Sequence, residues 1–99
     1  MTNVGHYVYM LQCSDGTFYV GYATEIARRV REHNESPKGA KYTRGRRPVK
    51  PVYYMEFESR SEALKYEHVL RKKSRVEKVK LVKEFGSSQF VLGTIMSED

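Results

Sequence analysis

Two apolar runs open the chain and a third follows its midpoint, each short and bounded by turn-forming residues. HYVYMLQC (6–13) and TFYVGYA (17–23) are rich in tyrosine and valine and read as strands. Ser14-Asp15-Gly16 between them is turn material, so the pair reads as a hairpin. From Thr24 the apolar period lengthens: Ile26, Ala27 and Val30, then His33 or Asn34, recur at helical spacing. Thr24 is the expected N-cap, with Glu25 in the first turn, and the helix is expected to stop by Ser36-Pro37. Residues 52–58 (VYYMEFE) alternate as a strand does, with Tyr53, Met55 and Phe57 on one face and Tyr54, Glu56 and Glu58 on the other. Ser59 and Glu62 have the spacing of a capping box and open a helix to about Lys73. Ser74 and Glu77 repeat the device for a shorter helix, expected to turn Val76, Val79 and Val82 or Leu81 inward. Residues 86–99 fit either a last strand packed on the core or a disordered end. The order β-β-α-β-α-α predicts an α+β fold, a small three-stranded antiparallel sheet flanked by helices, in one domain over residues 4–85.

Charge changes this picture more than composition does. The net charge is +6, and all 18 Lys and Arg lie between Arg28 and Lys83. Within that span PKGAKYTRGRRPVKP (37–51) holds Lys38, Lys41, Arg44, Arg46, Arg47 and Lys50 without one acid. A merely solubilising surface interleaves signs, as residues 65–84 largely do. A one-sign loop punctuated by Gly and Pro, with Tyr42 inside it, suits a polyanion such as nucleic acid. If about six of these cations meet phosphates, log K falls against log salt with a slope of about −5. Cys13 is the single cysteine, so an intrachain disulfide and a cysteine-based metal site are both excluded. No apolar run is long enough to span a bilayer, and no signal peptide is evident, so a reducing cytoplasmic setting is expected.

Tyrosine is the remaining oddity: eight of them and no tryptophan, four falling in the first two strands (Tyr7, Tyr9, Tyr19 and Tyr22). Strands accept tyrosine readily, and Tyr7, Tyr22, Tyr53 and Tyr54 are assigned to packing or strand surface. The others lie in a pattern. Tyr7-Val8-Tyr9, then Tyr19-Val20-Gly21 ten residues after Tyr9, then Arg29 ten residues after Tyr19, with His33 four beyond it and Glu67 in the helix EALKYEHVLRKK, resemble the GIY-YIG nuclease domain. The resemblance runs from about Val4 to Phe85. It is strongest to the small single-domain bacterial members of uncharacterised role, which are similar to the nuclease subunit of structure-specific resolvases.

The resemblance implies metal-assisted phosphodiester hydrolysis in DNA, or RNA, in a setting such as DNA repair or recombination. Glu67 would hold one divalent cation, Mg²⁺ or Mn²⁺. Tyr9 would act as general base or position the attacking water, with nearby cations favouring its phenolate. Tyr19 would orient that water or a phosphate oxygen. Arg29 would offer a bidentate fork to the phosphate, and His33, one turn on, would bond Tyr9 or the phosphate. Arg28, Lys38, Lys41, Tyr42, Arg44, Arg46, Arg47, Lys50, Arg71, Lys72 and Lys73 would contact the nucleic acid. In the family the two motif tyrosines share one sheet face. That requires a three-residue loop at Ser14-Asp15-Gly16, with Gly16 left-handed, pairing Leu11 with Tyr19 and Tyr9 with Gly21. A two-residue turn would put the tyrosines on opposite faces. Gly21 would then leave open space beside Tyr9 for a phosphate.

Three departures from the family pattern stand out. Tyr7 replaces the glycine of the family name, Val8 and Val20 replace its isoleucines, and the asparagine many members carry late in the domain is missing, since Asn3 and Asn34 lie elsewhere. With no separate DNA-reading domain in view, specificity would come from the basic loop, from nucleic-acid shape or from a protein partner. The expected function is a structure-selective, divalent-metal-dependent endonuclease. The alternatives are a nucleic-acid-binding module of the same fold with weak or no catalysis, and an adaptor for an acidic protein.

Overall fold

The computed structural model of the chain describes residues 5–36 and 39–85. Strands β1 (His6–Gln12), β2 (Phe18–Ala23) and β3 (Lys50–Phe57) form an antiparallel sheet in the order β2-β1-β3. Helices α1 (Ile26–Glu35) and α2 (Lys41–Arg44) lie between β2 and β3, and α3 (Arg60–Lys72) and α4 (Arg75–Phe85) follow. This is the expected α+β arrangement, with β1 central and both other strands at an edge.

The hairpin closes as the sequence predicts. Cys13 N–H donates to Thr17 O at 2.8 Å, Gly16 N–H donates to Cys13 O at 2.9 Å, and Gly16 takes φ +85°, where a Cβ would be strained. Asp15 tightens the loop by accepting from Thr17 N and Oγ1 at 3.1 and 2.6 Å. Tyr9 therefore pairs with Gly21 and Leu11 with Tyr19, which sets both motif tyrosines on one face.

Several local expectations need correction. Glu25, not Thr24, caps α1, and it makes no side-chain capping bond; its carboxylate lies 3.6 Å from Arg28 instead. The basic stretch is not all loop, because residues 41–44 form the one-turn α2. β3 begins at Lys50 rather than Val52: Pro51 is tolerated because β3 is an edge strand. A register irregularity opposite Met10 and Leu11 lets Val52 and Tyr53 both pack toward α3. Both serines cap their helices, Ser59 accepting from Glu62 N and Ser74 from Glu77 N, each at 3.2 Å. The reciprocal bond that completes a capping box forms at Ser74, whose N–H donates to Glu77 Oε1 at 2.9 Å. In α4, however, Leu81 and Val82 pack inward while Val76 is 77% exposed.

The core is split by the sheet. One side, under α1, gathers Tyr9, Leu11, Ile26, Val30 and Val49. The other, under α3, gathers Val8, Met10, Val20, Tyr53, Ala63 and Leu70. Cys13 is buried with the first set, and burial pushes its thiol up, so it behaves as the apolar residue expected. Among the described residues no helix is long and apolar enough to cross a membrane. Lys38 and the alternatives for residues 86–99 lie outside the described residues.

Candidate active site

Tyr9 stands on the central strand, directed to the α1 side, and is almost fully buried. A Cβ at Gly21 would sit 2.5 Å from Tyr9 Oη and 3.1 Å from a ring carbon of Tyr19. Gly21 thus makes room for the Tyr9 phenol itself. The open space expected there for a phosphate is filled by that ring.

The phenol reaches His33 on α1, with Oη 2.9 Å from Nε2. Valine and isoleucine at positions 30 and 26 turn this face of α1 onto the sheet, and His33 falls on the same stripe. The far side of the imidazole is held by the segment around α2. Ala40 N–H donates to Nδ1 at 3.2 Å, and Thr43 Oγ1 lies 3.0 Å from the same nitrogen and 2.8 Å from Ala40 O. A backbone N–H can only donate, so Nδ1 accepts and the neutral ring carries its proton on Nε2. From there it donates to Tyr9 Oη. Burial, reinforced by the charge of Arg29, pushes His33 down to about 4, so the ring is neutral at pH 7. His33 is fully buried and bonds Tyr9; of its two expected partners, the phosphate is out of its reach.

Arg29 lies one turn before His33 on the same face. Its Nη1 donates to Glu32 Oε1 at 2.8 Å, both side chains being partly exposed, which fixes the guanidinium beside Tyr9. Burial, then the neighbouring Tyr19, raise the Tyr9 pKa above the usual phenol value, while the charge and hydrogen bonding of Arg29 oppose this. In the free protein burial wins, so Tyr9 is a neutral phenol at pH 7. The expectation that nearby cations favour its phenolate holds in direction for Arg29, but Arg29 alone does not outweigh desolvation. Tyr19 sets its ring edge-on to His33, with centroids 5.0 Å apart.

Glu67 comes from α3 on the opposite side of the sheet, near enough for its charge to act on Tyr9. Its side chain is only 17% exposed, and Arg71 Nη2 donates to its Oε2 at 2.8 Å. Among the described residues no cluster of three or more His, Cys, Asp or Glu could cage a metal. A single carboxylate fits Mg²⁺ or Mn²⁺, which need few protein oxygens and keep most of their waters; it does not fit a zinc-type site.

The basic residues divide into two groups. Arg47 caps α1: its guanidinium donates to the carbonyls of His33 (2.5 Å), Ser36 (2.6 Å) and Glu32 (3.4 Å). Arg46 ties α2 to the hairpin, bonding Asp15 Oδ2 at 3.1 Å and Tyr42 O at 2.8 Å, and lies 4.0 Å above the Tyr42 ring. In these two, expected as nucleic-acid contacts, Nε and one Nη of the guanidinium bond within the fold. Arg28, Lys41, Arg44, Lys50, Arg71 and Lys72 are exposed, and Lys73 is partly so. Two departures from the family pattern also find their place. Tyr7 tilts against Tyr54 at 6.1 Å, and Asn34 holds the residue before β3 by bonding Val49 N and O at 2.7 and 3.0 Å. Sequence reasoning missed Thr43, Ala40 N–H and Glu32. Only Glu32 left a signal, its i,i+3 spacing from Arg29.

A buried phenol bonded to a neutral imidazole, an arginine beside it, a carboxylate from α3 and the surrounding cations make up one candidate site. The model of the GIY-YIG catalytic domain matches residues 5–80, and the chain belongs to the GIY-YIG family. A UPF0213 protein of Haloquadratum walsbyi is 51% identical over 79 residues, covering 80% of this chain and 88% of the relative. Another from Streptococcus agalactiae is 45% identical over 89 residues, covering 90% of this chain and all of the relative. The solution structures of a UPF0213 protein from Bacillus halodurans and a protein from E. faecalis share the fold. Their TM-scores are 0.54 and 0.57 at 46% and 49% identity, over 83% and 82% of this chain and 86% and 85% of theirs.

Proposed function

We propose that this protein is a divalent-metal-dependent endonuclease that hydrolyses phosphodiester bonds in DNA and selects nucleic-acid structure rather than sequence. The observation that carries this reading is the Tyr9–His33 pair, a phenol whose oxygen is oriented by an imidazole N–H and faced by Arg29. A binding module has no need of a buried, fully bonded pair at that depth, which costs desolvation without adding contact surface. Glu67 is the residue that would hold Mg²⁺ or Mn²⁺, and the bound ion would supply Lewis-acid stabilisation of charge on the phosphate.

The chain's own residues divide the remaining work. Tyr9 Oη, a neutral phenol in the free protein, meets the attacking water and orients it; to serve as general base the phenol would first have to release its own proton to solvent. His33 is a positioning residue: its Nε2–H fixes the phenol and stabilises negative charge on its oxygen. Arg29, steadied by Glu32 and lying beside Tyr9, offers its guanidinium charge to the phosphate as charge builds there. Tyr19 directs its hydroxyl to the same region. Arg28, Lys41, Arg44, Lys50, Lys72 and Lys73 carry the backbone across the site. This reading places the protein in a reducing compartment and in DNA repair or recombination.

The test is cleavage by pure protein of single strands, duplex, flaps, four-way junctions and RNA, in Mg²⁺, Mn²⁺ or chelator. Glu67→Ala and Tyr9→Phe are each expected to lower the rate by about 10²–10³-fold or more while nucleic-acid binding persists. Cleavage that survives both substitutions would remove this site from the reaction. Binding without cleavage on every substrate would make the protein a binding module.

A further inference from the structure

We propose that the cleft beside edge strand β2 is a nucleotide subsite, which takes one unpaired base of the substrate strand with Tyr42 as its stacking surface. Its position next to the scissile phosphate rests on the nuclease reading of the Tyr9–Glu67 site. The cleft has a volume of about 280 Å³ and is lined by Phe18, Tyr19, Val20, Tyr42, Arg71 and Lys78. That lies just below the range of about 300–1,000 Å³ in which proteins bind small organic ligands, room for one nucleotide and not for a base pair.

The chemistry of the walls fits that occupant. Three aromatic rings and a valine offer flat apolar surface, two cations are present, and no acid lines the cleft. A nucleobase joined to its phosphate has the same division. Tyr42 is 39% exposed yet held in place, which is what a stacking platform needs. Its ring lies 28° from that of Tyr19 with centroids 6.0 Å apart, and Arg46 covers it while anchored to Asp15. Packing alone would account for Tyr42, but not for the cations opposite it. Lys78 sits against Arg71, its Nζ 3.4 Å from Arg71 O, and burial together with that like charge lowers its pKa. The Arg71 guanidinium is paired with Glu67, so Lys78, which has no ion pair among the described residues, is the cation of this cleft that an anion would meet.

Two lining residues also belong to the neighbouring site. Tyr19 packs edge-on against His33, and Arg71 bonds Glu67. A base seated in the cleft therefore brings its own phosphate toward Glu67, and Arg71 can exchange the carboxylate for that phosphate. A base inside duplex DNA must first unstack to enter, which favours flaps, gaps and single strands. Structure selectivity then arises within this one small domain.

The experiment uses the full chain in chelator, where binding is read without cleavage. The probes are a flap carrying 2-aminopurine at its first unpaired position and a fully paired duplex of equal length. The wild type is expected to bind the flap about tenfold more tightly and to quench the 2-aminopurine. Tyr42→Ala is expected to bring the flap-to-duplex ratio to about one and to abolish the quench, and Tyr42→Phe to keep both. Equal weakening of flap and duplex by Tyr42→Ala, or a quench that survives it, would overturn the subsite. Cleavage of the same probes in Mg²⁺ separates the two readings: flap preference with no cleavage sinks the nuclease and leaves the subsite, and cleavage without flap preference does the reverse.

Discussion

The two faces of the sheet bury similar kinds of apolar side chain but treat polar groups differently. Under α1 the interior holds His33 and Thr43, the buried polar side chains among the described residues, joined to the Tyr9 phenol. Under α3 the packing is Val8, Met10, Val20, Ala63 and Leu70, with a single hydroxyl pair, Tyr53 to Tyr66 at 2.7 Å, at its margin. Burying polar groups costs free energy unless each finds a partner, and no buried side-chain N or O among the described residues lacks one. The α3 face stabilises the fold; the α1 face spends part of its interior on orienting one phenol.

That contrast is broken most directly by one substitution on each face. Leu70→Ala empties a fully buried position and is expected to cost about 2–5 kcal/mol, while cleavage per folded molecule holds. Gly21→Ala removes no functional group, yet its methyl would stand 2.5 Å from Tyr9 Oη. The ring must shift, so the cleavage rate is expected to fall about 10²-fold, at a stability cost of about 1–3 kcal/mol. Urea melts and single-turnover rates on both proteins settle it. A Gly21→Ala protein of full activity would mean that the position of the phenol does not matter.

What was legible in the sequence follows the same division. The tyrosine register could be read through the family resemblance, which requires both tyrosines on one face and so chooses the three-residue loop over a two-residue turn. The two serine N-caps could be read because their spacing is local. The support of His33 could not. Thr43 sits among cations in a four-residue helix too short to show a period, and its bond to the imidazole spans ten residues of irregular chain. Val76 was misassigned because Val76, Val79 and Val82 suit an inward stripe, while the packing of α4 uses Leu81 and Val82. Arg47 read as one more cation in a basic run, since nothing local says that its guanidinium turns back to the end of α1.

The buried imidazole gives the contrast a pH signature. His33 titrates near 6.5 when unfolded and is pushed down to about 4 in the fold, so between those values the unfolded chain binds more protons. Stability from this residue is present above pH 6.5 and is lost as pH falls toward 4, by up to about 3 kcal/mol. Below pH 4 the loss levels off. Thermal melts from pH 7.5 to 4 are expected to show this slope in the wild type and to lose it in His33→Gln. An unchanged slope in the variant would place the acid sensitivity elsewhere.

The smallest effect sharpens the comparison within the α1 side, between cations that hold the fold and cations that face outward. Arg44 is exposed with no ion pair among the described residues, whereas Arg47 donates to three carbonyls at the end of α1. Removing Arg47 leaves those acceptors without a charged donor, so Arg47→Ala is expected to cost about 1–2 kcal/mol of stability. Its DNA affinity should keep the wild-type dependence on salt. Arg44→Ala is expected to do the opposite, holding stability within about 0.5 kcal/mol while making the slope of log K against log salt shallower by about one. Titrations of one duplex at several salt concentrations, beside denaturant melts, separate the two. If both substitutions changed the slope equally, Arg47 would have to release α1 in order to meet phosphate, and the end of that helix would belong to the binding surface.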